Sequence, residues 1–174
     1  MDAKLKSKRL NLRHVTADDV DVIQAYIHDP RIYEGVARIP ANQSRKATLD
    51  WISTHDDGRK SNTDFVYAMN SQTKFIGLMG FHRETTSDLF ELGFWIAPQA
   101  WGNGYATEAG EALLLNLEKR KGAQKTLGSY FSDNRASGRV LEKLGYIKTG
   151  EGRMHCAGRN KVLPLIKMER AETL

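Results

Sequence analysis

The stretch Glu91-Leu-Gly-Phe-Trp-Ile-Ala-Pro-Gln-Ala-Trp-Gly-Asn-Gly-Tyr-Ala-Thr-Glu108 decides how this chain is read. It begins as an apolar strand, breaks at Pro98 and turns through two glycines. Ala106, Ala109, Gly110, Leu113 and Leu117 then fall on one stripe, which predicts an amphipathic helix over 105–121. The first amides of a helix have no partner inside it, and the helix dipole adds positive character there. Gly102 and Gly104 allow close approach of a ligand to the main chain, and Ala106 keeps the first turn thin. A strand, a glycine-bearing loop and a helix start make a cradle for a phosphate or pyrophosphate. The same residues also suit a plain strand-to-helix turn.

Upstream, residues 63–69, 74–83 and 89–97 read as three strands joined by the short polar turns 70–73 and 84–88. Such tight connections force antiparallel pairing. Further back, 9–15 alternates as a strand. Thr16 caps a helix carrying Val20, Ile23 and Ile27, and Pro30 and Pro40 bracket an irregular stretch. Ser44 opens a second helix through Trp51 and Ile52 to about His55, with Gly58 after it. Downstream come a strand at 124–131 and a helix at 133–144 with Ala136, Val140, Leu141 and Leu144 as its stripe. Gly145 stands where a left-handed cap belongs, and strands follow at 146–150 and 161–169. The order β-α-α-β-β-β-α-β-α-β-β predicts one α/β domain over 1–174. Its mixed sheet is antiparallel in the first half, crosses over in the second and is flanked by helices.

A length of 174 residues suits one domain. One cysteine excludes an internal disulfide scaffold. No apolar run approaches the ~20 residues of a membrane span, and Met1–Arg9 has charge but no apolar core behind it, so no signal peptide is expected. A cytoplasmic protein with no membrane partner is the expectation. The 26 Lys+Arg against 21 Asp+Glu give a net charge of +5. The cations concentrate at 4–13, 119–125 and 148–170 without interleaved aromatics, so no direct nucleic-acid binding is expected. The histidines, 14, 28, 55, 82 and 155, lack metal-ligand spacing, and no metal is expected.

Two well-known phosphate loops fail on this segment. A Walker loop needs a lysine after its last glycine, and Tyr105 follows Gly104. A dinucleotide fingerprint needs Gly or Ala where Thr107 stands, and it opens a parallel sheet rather than following three antiparallel strands.

Gln99-Ala-Trp-Gly102-Asn-Gly104-Tyr-Ala106 resembles the Gln/Arg-x-x-Gly-x-Gly/Ala acetyl-CoA loop of the GNAT superfamily of N-acetyltransferases. Asp133-Asn134-Arg-Ala-Ser137-Gly-Arg-Val-Leu-Glu-Lys-Leu-Gly145-Tyr146 resembles the same family's Asn-x-x-Ser segment, which ends in Lys-x-Gly-Phe/Tyr. With the opening Leu-x-Leu-Arg strand and the Glu-x-Gly-Phe-Trp-Ile strand, the chain is most similar to the RimJ/RimL branch, whose members acetylate ribosomal-protein N-termini, with relatives acting on other amines. The resemblance runs from Arg9 to about Arg170.

The resemblance implies acetyl-CoA as co-substrate. The Phe94, Trp95 and Ile96 backbone would pair with the pantetheine arm. The amides of Gly102, Asn103, Gly104, Tyr105, Ala106 and Thr107 would hold the pyrophosphate, with Gln99 and Trp101 shaping the loop. Asn134 would hydrogen-bond the cofactor arm, and Ser137 would sit near its sulfur. Many relatives carry a tyrosine near the Ser137 position as acid for the leaving thiolate, and here the hydroxyl is a serine. The favoured acceptor is a protein N-terminal α-amine, a ribosomal protein among the candidates. The alternative is a small-molecule amine such as a polyamine, amino acid or antibiotic. Readings from other classes are a nucleotide-dependent oxidoreductase, which Thr107 opposes, and a basic nucleic-acid-binding module.

Acetyl transfer to an amine requires loss of the ammonium proton, stabilisation of the carbonyl oxygen and protonation of the thiolate. Direct transfer in a ternary complex needs no covalent intermediate. Glu91, in an otherwise apolar strand, is the candidate base, directly or through water; a surface-facing strand residue is the other reading. Ser137 orients or protonates the sulfur, or is a helix-surface serine. Cys156 beside His155 would point to the opposite face of an extended chain, so the pair is not a dyad. Tyr33 and His82 are candidates for the amine pocket, with the acceptor loops expected at 29–43 and 151–160. A monomer or a homodimer both fit.

Overall fold

The computed structural model describes residues 1–84 and 87–172; the expected turn over 84–88 therefore lies partly outside the described residues. Among the described residues eight strands form one sheet in the order β1-β2-β3-β4-β5-β6-β8-β7. The strands are β1 (Lys4–Lys6), β2 (Leu10–His14), β3 (Asp64–Ser71), β4 (Lys74–Arg83), β5 (Phe90–Ile96), β6 (Thr126–Phe131), β7 (Ile147–Cys156) and β8 (Lys161–Arg170). The helices are α1 (Val20–Ile27), α2 (Pro30–Tyr33), α3 (Arg45–Lys60), α4 (Tyr105–Lys121) and α5 (Arg135–Lys143). The α/β class and the mixed sheet agree with the sequence reading. β1 to β5 pair antiparallel in series, and α4 carries the chain across to β6, which lies parallel to β5.

Alternation along the strands divides the core between the two faces of the sheet. Leu12, Tyr67, Phe81, Phe90 and Leu92 form one cluster with Leu113 and Leu117 of α4 and Leu141 of α5. Val66, Ala68, Leu78 and Trp95 form the other with Val20, Ile23 and Ile27 of α1 and Ile52 of α3.

Four boundaries differ from the sequence reading. The three-residue strand β1 pairs with β2, Leu5 opposite Leu12, although Lys-Leu-Lys is too short and charged to announce it. The irregular stretch after Pro30 holds the short helix α2, capped by Asp29, whose carboxylate accepts from the Arg31 amide at 2.9 Å. Helix α3 does not stop near His55 but runs through Gly58 to Lys60. A Cβ at Gly58 would stand 2.5 Å from Cβ of Asp64, so glycine there lets the helix lie close on β3. Strand β7 continues through the expected loop to Cys156. Its polar run Lys-Thr-Gly-Glu-Gly-Arg belongs to an exposed edge strand, where alternation is weak.

His14 packs against Tyr67 at a tilt of 54°, with ring centroids 4.9 Å apart. Burial, and the charges of Arg59 and the N-terminus, lower its pKa from 6.5 to about 4. The unfolded chain takes up this proton near pH 6.5 and the folded chain only near 4, so stability falls as pH drops through that window. The slope approaches ~1.4 kcal/mol per pH unit for one proton. In urea titrations at pH 7 and pH 5, His14→Gln is expected to flatten this slope by up to one proton. An unchanged slope would remove His14 as its source.

Candidate active site

The site begins where β5 and β6 part. They pair only at Phe90–Thr126, Glu91–Leu127 and Leu92–Gly128, yet β5 continues to Ile96 and β6 to Phe131. From Gly93 onward β5 keeps β4 as its partner and turns its other edge to an opening. A cavity of about 310 Å³ occupies this opening and the face beside it. Glu91, Phe94, Trp95 and Ser137 line it, together with His82, Ser129 and Tyr130. Of the residues singled out from the sequence, Glu91, Phe94, Trp95 and Ser137 line this cavity, whereas Ile96, Gln99, the 101–107 loop and Asn134 lie outside its lining. Ser129, Tyr130 and Trp51, which also line it, were not singled out as site residues.

Beyond Ile96 the loop is braced from within. Trp101 Nε1 donates to the Ile96 carbonyl at 2.7 Å, and Asn103 Nδ2 donates to the carbonyls of Ala100 and Trp101, each at 3.1 Å. Gln99 Nε2 donates to the Tyr26 hydroxyl, tying the loop to α1. These side chains satisfy carbonyls and leave amides uncommitted. Gly102 and Gly104 have φ of 77° and 76°, a region that glycine enters freely. The first bond of α4 runs from Glu108 N–H to Gly104 carbonyl, so the amides of Tyr105, Ala106 and Thr107 have no acceptor within the helix. A Cβ at Gly102 would meet nothing within 4 Å, and one at Gly104 only Arg9 Nη2 at 3.7 Å. Space has thus been left over a row of main-chain donors, which fits a diphosphate.

Arg9 and Glu108 extend this cradle, and sequence reading did not single them out. Glu108 Oε1 accepts from Ser7 Oγ at 2.6 Å and the Arg9 amide at 2.7 Å, and Oε2 accepts from Arg9 Nε at 2.6 Å. Burial opposes ionisation of Glu108, but the Ser7 hydroxyl and both Arg9 groups outweigh it and hold its carboxyl below the usual range. The Arg9 guanidinium lies 4.6 Å over the Tyr105 ring, beside the helix start. The 99-residue span between these partners explains why no local pattern revealed them.

Asn134 and Ser137 sit at the start of α5. Asn134 Oδ1 caps the helix by accepting from Ser137 N–H at 3.3 Å, and its Nδ2 donates to the Gly35 carbonyl at 3.3 Å. Tyr130 packs over this turn, its hydroxyl 3.0 Å from where a Gly138 Cβ would stand. A second hydroxyl therefore reaches the region assigned to Ser137. Glu91 is half-buried, and its Oε1 accepts from Ser129 Oγ at 2.6 Å. Cys156 is buried, with Sγ 3.5 Å from the Val36 carbonyl, while its neighbour His155 is exposed, so the two point to opposite faces. From the expected acceptor loops, Gly35–Ile39, Gln43 and Met154 reach the cavity, and Tyr33 does not line it.

Uncommitted amides at a helix start, beside a split sheet whose cavity carries acid–base groups, fit a group-transfer enzyme that takes a phosphate-bearing co-substrate. Residues 9–147 match the family described as acetyltransferase (GNAT) domain, and the chain belongs to that family. It is 26% identical over 151 residues, 84% of each chain, to the uncharacterized N-acetyltransferase YoaA of Bacillus subtilis. Its fold superimposes with a TM-score of 0.85 on a RimL ribosomal L7/L12 alpha-N-protein acetyltransferase in complex with coenzyme A, at 15% identity and 97% coverage of both chains. A ribosomal-protein-S5-alanine acetyltransferase from Vibrio fischeri gives 0.81, at 17% identity over 98% of this chain and 97% of that one. The protein is an acetyl-CoA-dependent N-acetyltransferase.

Gly104→Val tests the cradle. A β-branched residue at this φ costs about 1–2 kcal/mol, and its methyls fill the open side. Isothermal titration is expected to show acetyl-CoA Kd raised at least roughly tenfold, equivalent to ~1.4 kcal/mol, in a variant that circular dichroism shows to be folded. Unchanged affinity would mean that these amides do not hold the phosphates.

Proposed function

We propose that this acetyltransferase acts on a protein N-terminal α-amine, a ribosomal protein being the favoured kind, by direct transfer in a ternary complex. The lining of the acceptor side carries this reading. Ile23, Ile27, Val36, Ile39 and Trp51 make it aliphatic and aromatic, and Glu91 is the carboxylate on its wall. A single carboxylate among apolar groups suits one ammonium on a small or apolar residue. A polyamine or aminoglycoside brings several cations, whose burial without matching anions is costly. The other nearby carboxylate, Asp64, is already engaged by His55 and His82. The activity for which the RimL structure is named agrees with this choice.

Bound acetyl-CoA supplies a thioester carbonyl as electrophile. The uncommitted amides of 102–107 and Arg9 would anchor its phosphates, and the open edge of β5 from Gly93 would align the arm. Glu91, held by Ser129, would receive and orient the acceptor ammonium. Ser137 and Tyr130 are the hydroxyls available to the leaving sulfur. Direct transfer is supported by the position of Cys156, whose thiol faces the carbonyls of Tyr33, Glu34 and Val36 rather than the cavity.

Thiol release from acetyl-CoA, measured against serine- and alanine-initial peptides, spermidine and kanamycin, tests the acceptor. Turnover with the peptides is expected, and turnover only with the polyamine or aminoglycoside would establish the small-molecule reading instead. Glu91→Gln removes one charge-assisted hydrogen bond, worth about 1.5–3 kcal/mol. It is expected to raise the peptide KM by roughly tenfold to a hundredfold, with acetyl-CoA affinity unchanged. An unaltered KM would remove Glu91 from ammonium binding.

A further inference from the structure

Three titratable side chains stand in one row across the sheet. Asp64 on β3 is opposite His82 on β4, and His82 is opposite Glu91 on β5. Directly opposed residues project to the same face, so the row runs from α3 toward the cavity. At its inner end His55 Nδ1 donates to Asp64 Oδ2, and His55 is buried. His82 Nδ1 lies 2.6 Å from Asp64 Oδ1. That contact is close, but its angle is too bent for a formed hydrogen bond, as is common for catalytic pairs in ligand-free sites. Burial works against the Asp64 carboxylate, but hydrogen bonds and charge from the two imidazoles outweigh it and keep its carboxyl far below the usual range.

A carboxylate at Nδ1 holds the proton on that nitrogen and leaves the lone pair on Nε2. His82 and Gly93 both line the cavity, and Nε2 lies on the Gly93 side of the ring: a Cβ at Gly93 would stand 3.8 Å from it, with His82 Cδ2 at 3.6 Å as its other near neighbour. Gly93 is the first residue of β5 beyond the pairing with β6. The imidazole therefore overhangs the point where the split opens.

We infer that His82 is the proton acceptor of the reaction, with Asp64 and His55 as positioning residues behind it. The inference rests on the acetyl-transfer reading above and divides labour within it: Glu91 binds the ammonium, and His82 takes its proton. The ammonium gives one proton to Nε2, and the freed lone pair forms the C–N bond to the acetyl carbon. The C–S bond breaks with its electron pair going to sulfur. The second proton of the nitrogen passes to the thiolate, and His82 returns its own to solvent. Imidazole is the side chain most often used for such a proton transfer. Asp64 from β3 and Glu91 from β5 flank His82, His55 of α3 pairs with the other oxygen of Asp64, and Arg38 lines the same cavity.

Two measurements test it. In imidazole nitrogen spectra of the acetyl-CoA complex at pH 8, with His82 assigned by its loss in His82→Gln, a proton on Nδ1 and a bare Nε2 are expected. Asp64→Asn is expected to move that proton to Nε2, a change that a merely structural role for Asp64 would not produce. A wild-type ring carrying its proton on Nε2 overturns the inference, whichever acceptor is used. In steady-state assays with the alanine-initial peptide, His82→Gln is expected to lower kcat about 10²- to 10⁴-fold at pH 7, with peptide KM within about twofold of wild type. The loss should shrink as pH rises and free amine arrives already deprotonated. No loss, or an equal loss at every pH, overturns it. If no amine is acetylated by the wild type, the acetyl-transfer reading of the acceptor fails, and the nitrogen spectra still decide the state of His82.

Discussion

Pairing between β5 and β6 lasts three residues, and the site exists because it stops there. In a continuous sheet the edge of β5 beyond Leu92 would be bonded to β6 and unavailable to any ligand. Parting the strands turns a backbone edge into a binding surface, and buried backbone groups must find partners somewhere. The parting also places the two ends of the site. Past Ile96 the chain enters the braced loop and α4; past Phe131 it enters α5 with its Asn134 cap. Both helices thus start just beyond the strands that part, α4 with uncommitted first-turn amides and α5 with its Ser137 amide held by Asn134.

The loop at 98–107 was legible because its information is local. Two glycines, a proline and a helix start lie within ten residues, and each has a direct backbone consequence. The order of helices and strands was legible for the same reason. The strand Lys4–Lys6 and the extension of β7 to Cys156 were not, since both lie at the sheet margins, where solvent blurs the alternation. The acid–base row was illegible for a different reason. Asp64, His82 and Glu91 are separated by 18 and 9 positions in the chain, and only strand register brings them side by side. Glu91 could be singled out as a charge in an apolar strand; Asp64, at the polar start of its strand, carries no such local signal.

Packing and chemistry meet at Gly58. Because no side chain stands there, α3 approaches β3 closely enough for His55 to reach the Asp64 carboxylate. Trp51, one turn earlier, meets the His55 ring edge-on at 4.4 Å and also lines the cavity. The apparent helix breaker is thus what lets the helix continue, and the continued helix supplies the innermost member of the row. A larger residue at 58 would act on the site through the position of His55, with no contact to any substrate.

The walls around the row are held by contacts that cross long stretches of sequence. Asn134 Nδ2 binds the Gly35 carbonyl, Arg159 binds the Glu34 carbonyl at 2.7 Å and pairs with Asp133, and the Cys156 thiol faces carbonyls at 33, 34 and 36. Three side chains, one at the start of α5 and two from the β7–β8 hairpin, therefore grip one short segment, the chain just after α2, whose next residues line the cavity. Main-chain carbonyls serve as the anchors, so the side chains of Val36, Arg38 and Ile39 are left to face the cavity or its rim. The acceptor wall can then change its chemistry residue by residue while its backbone stays fixed to α5 and the β7–β8 hairpin. On the proposed reading, acceptor choice rests in side chains on a fixed backbone, while the cofactor loop is written in local glycines and a helix start, which is why the sequence names the cofactor more readily than the amine.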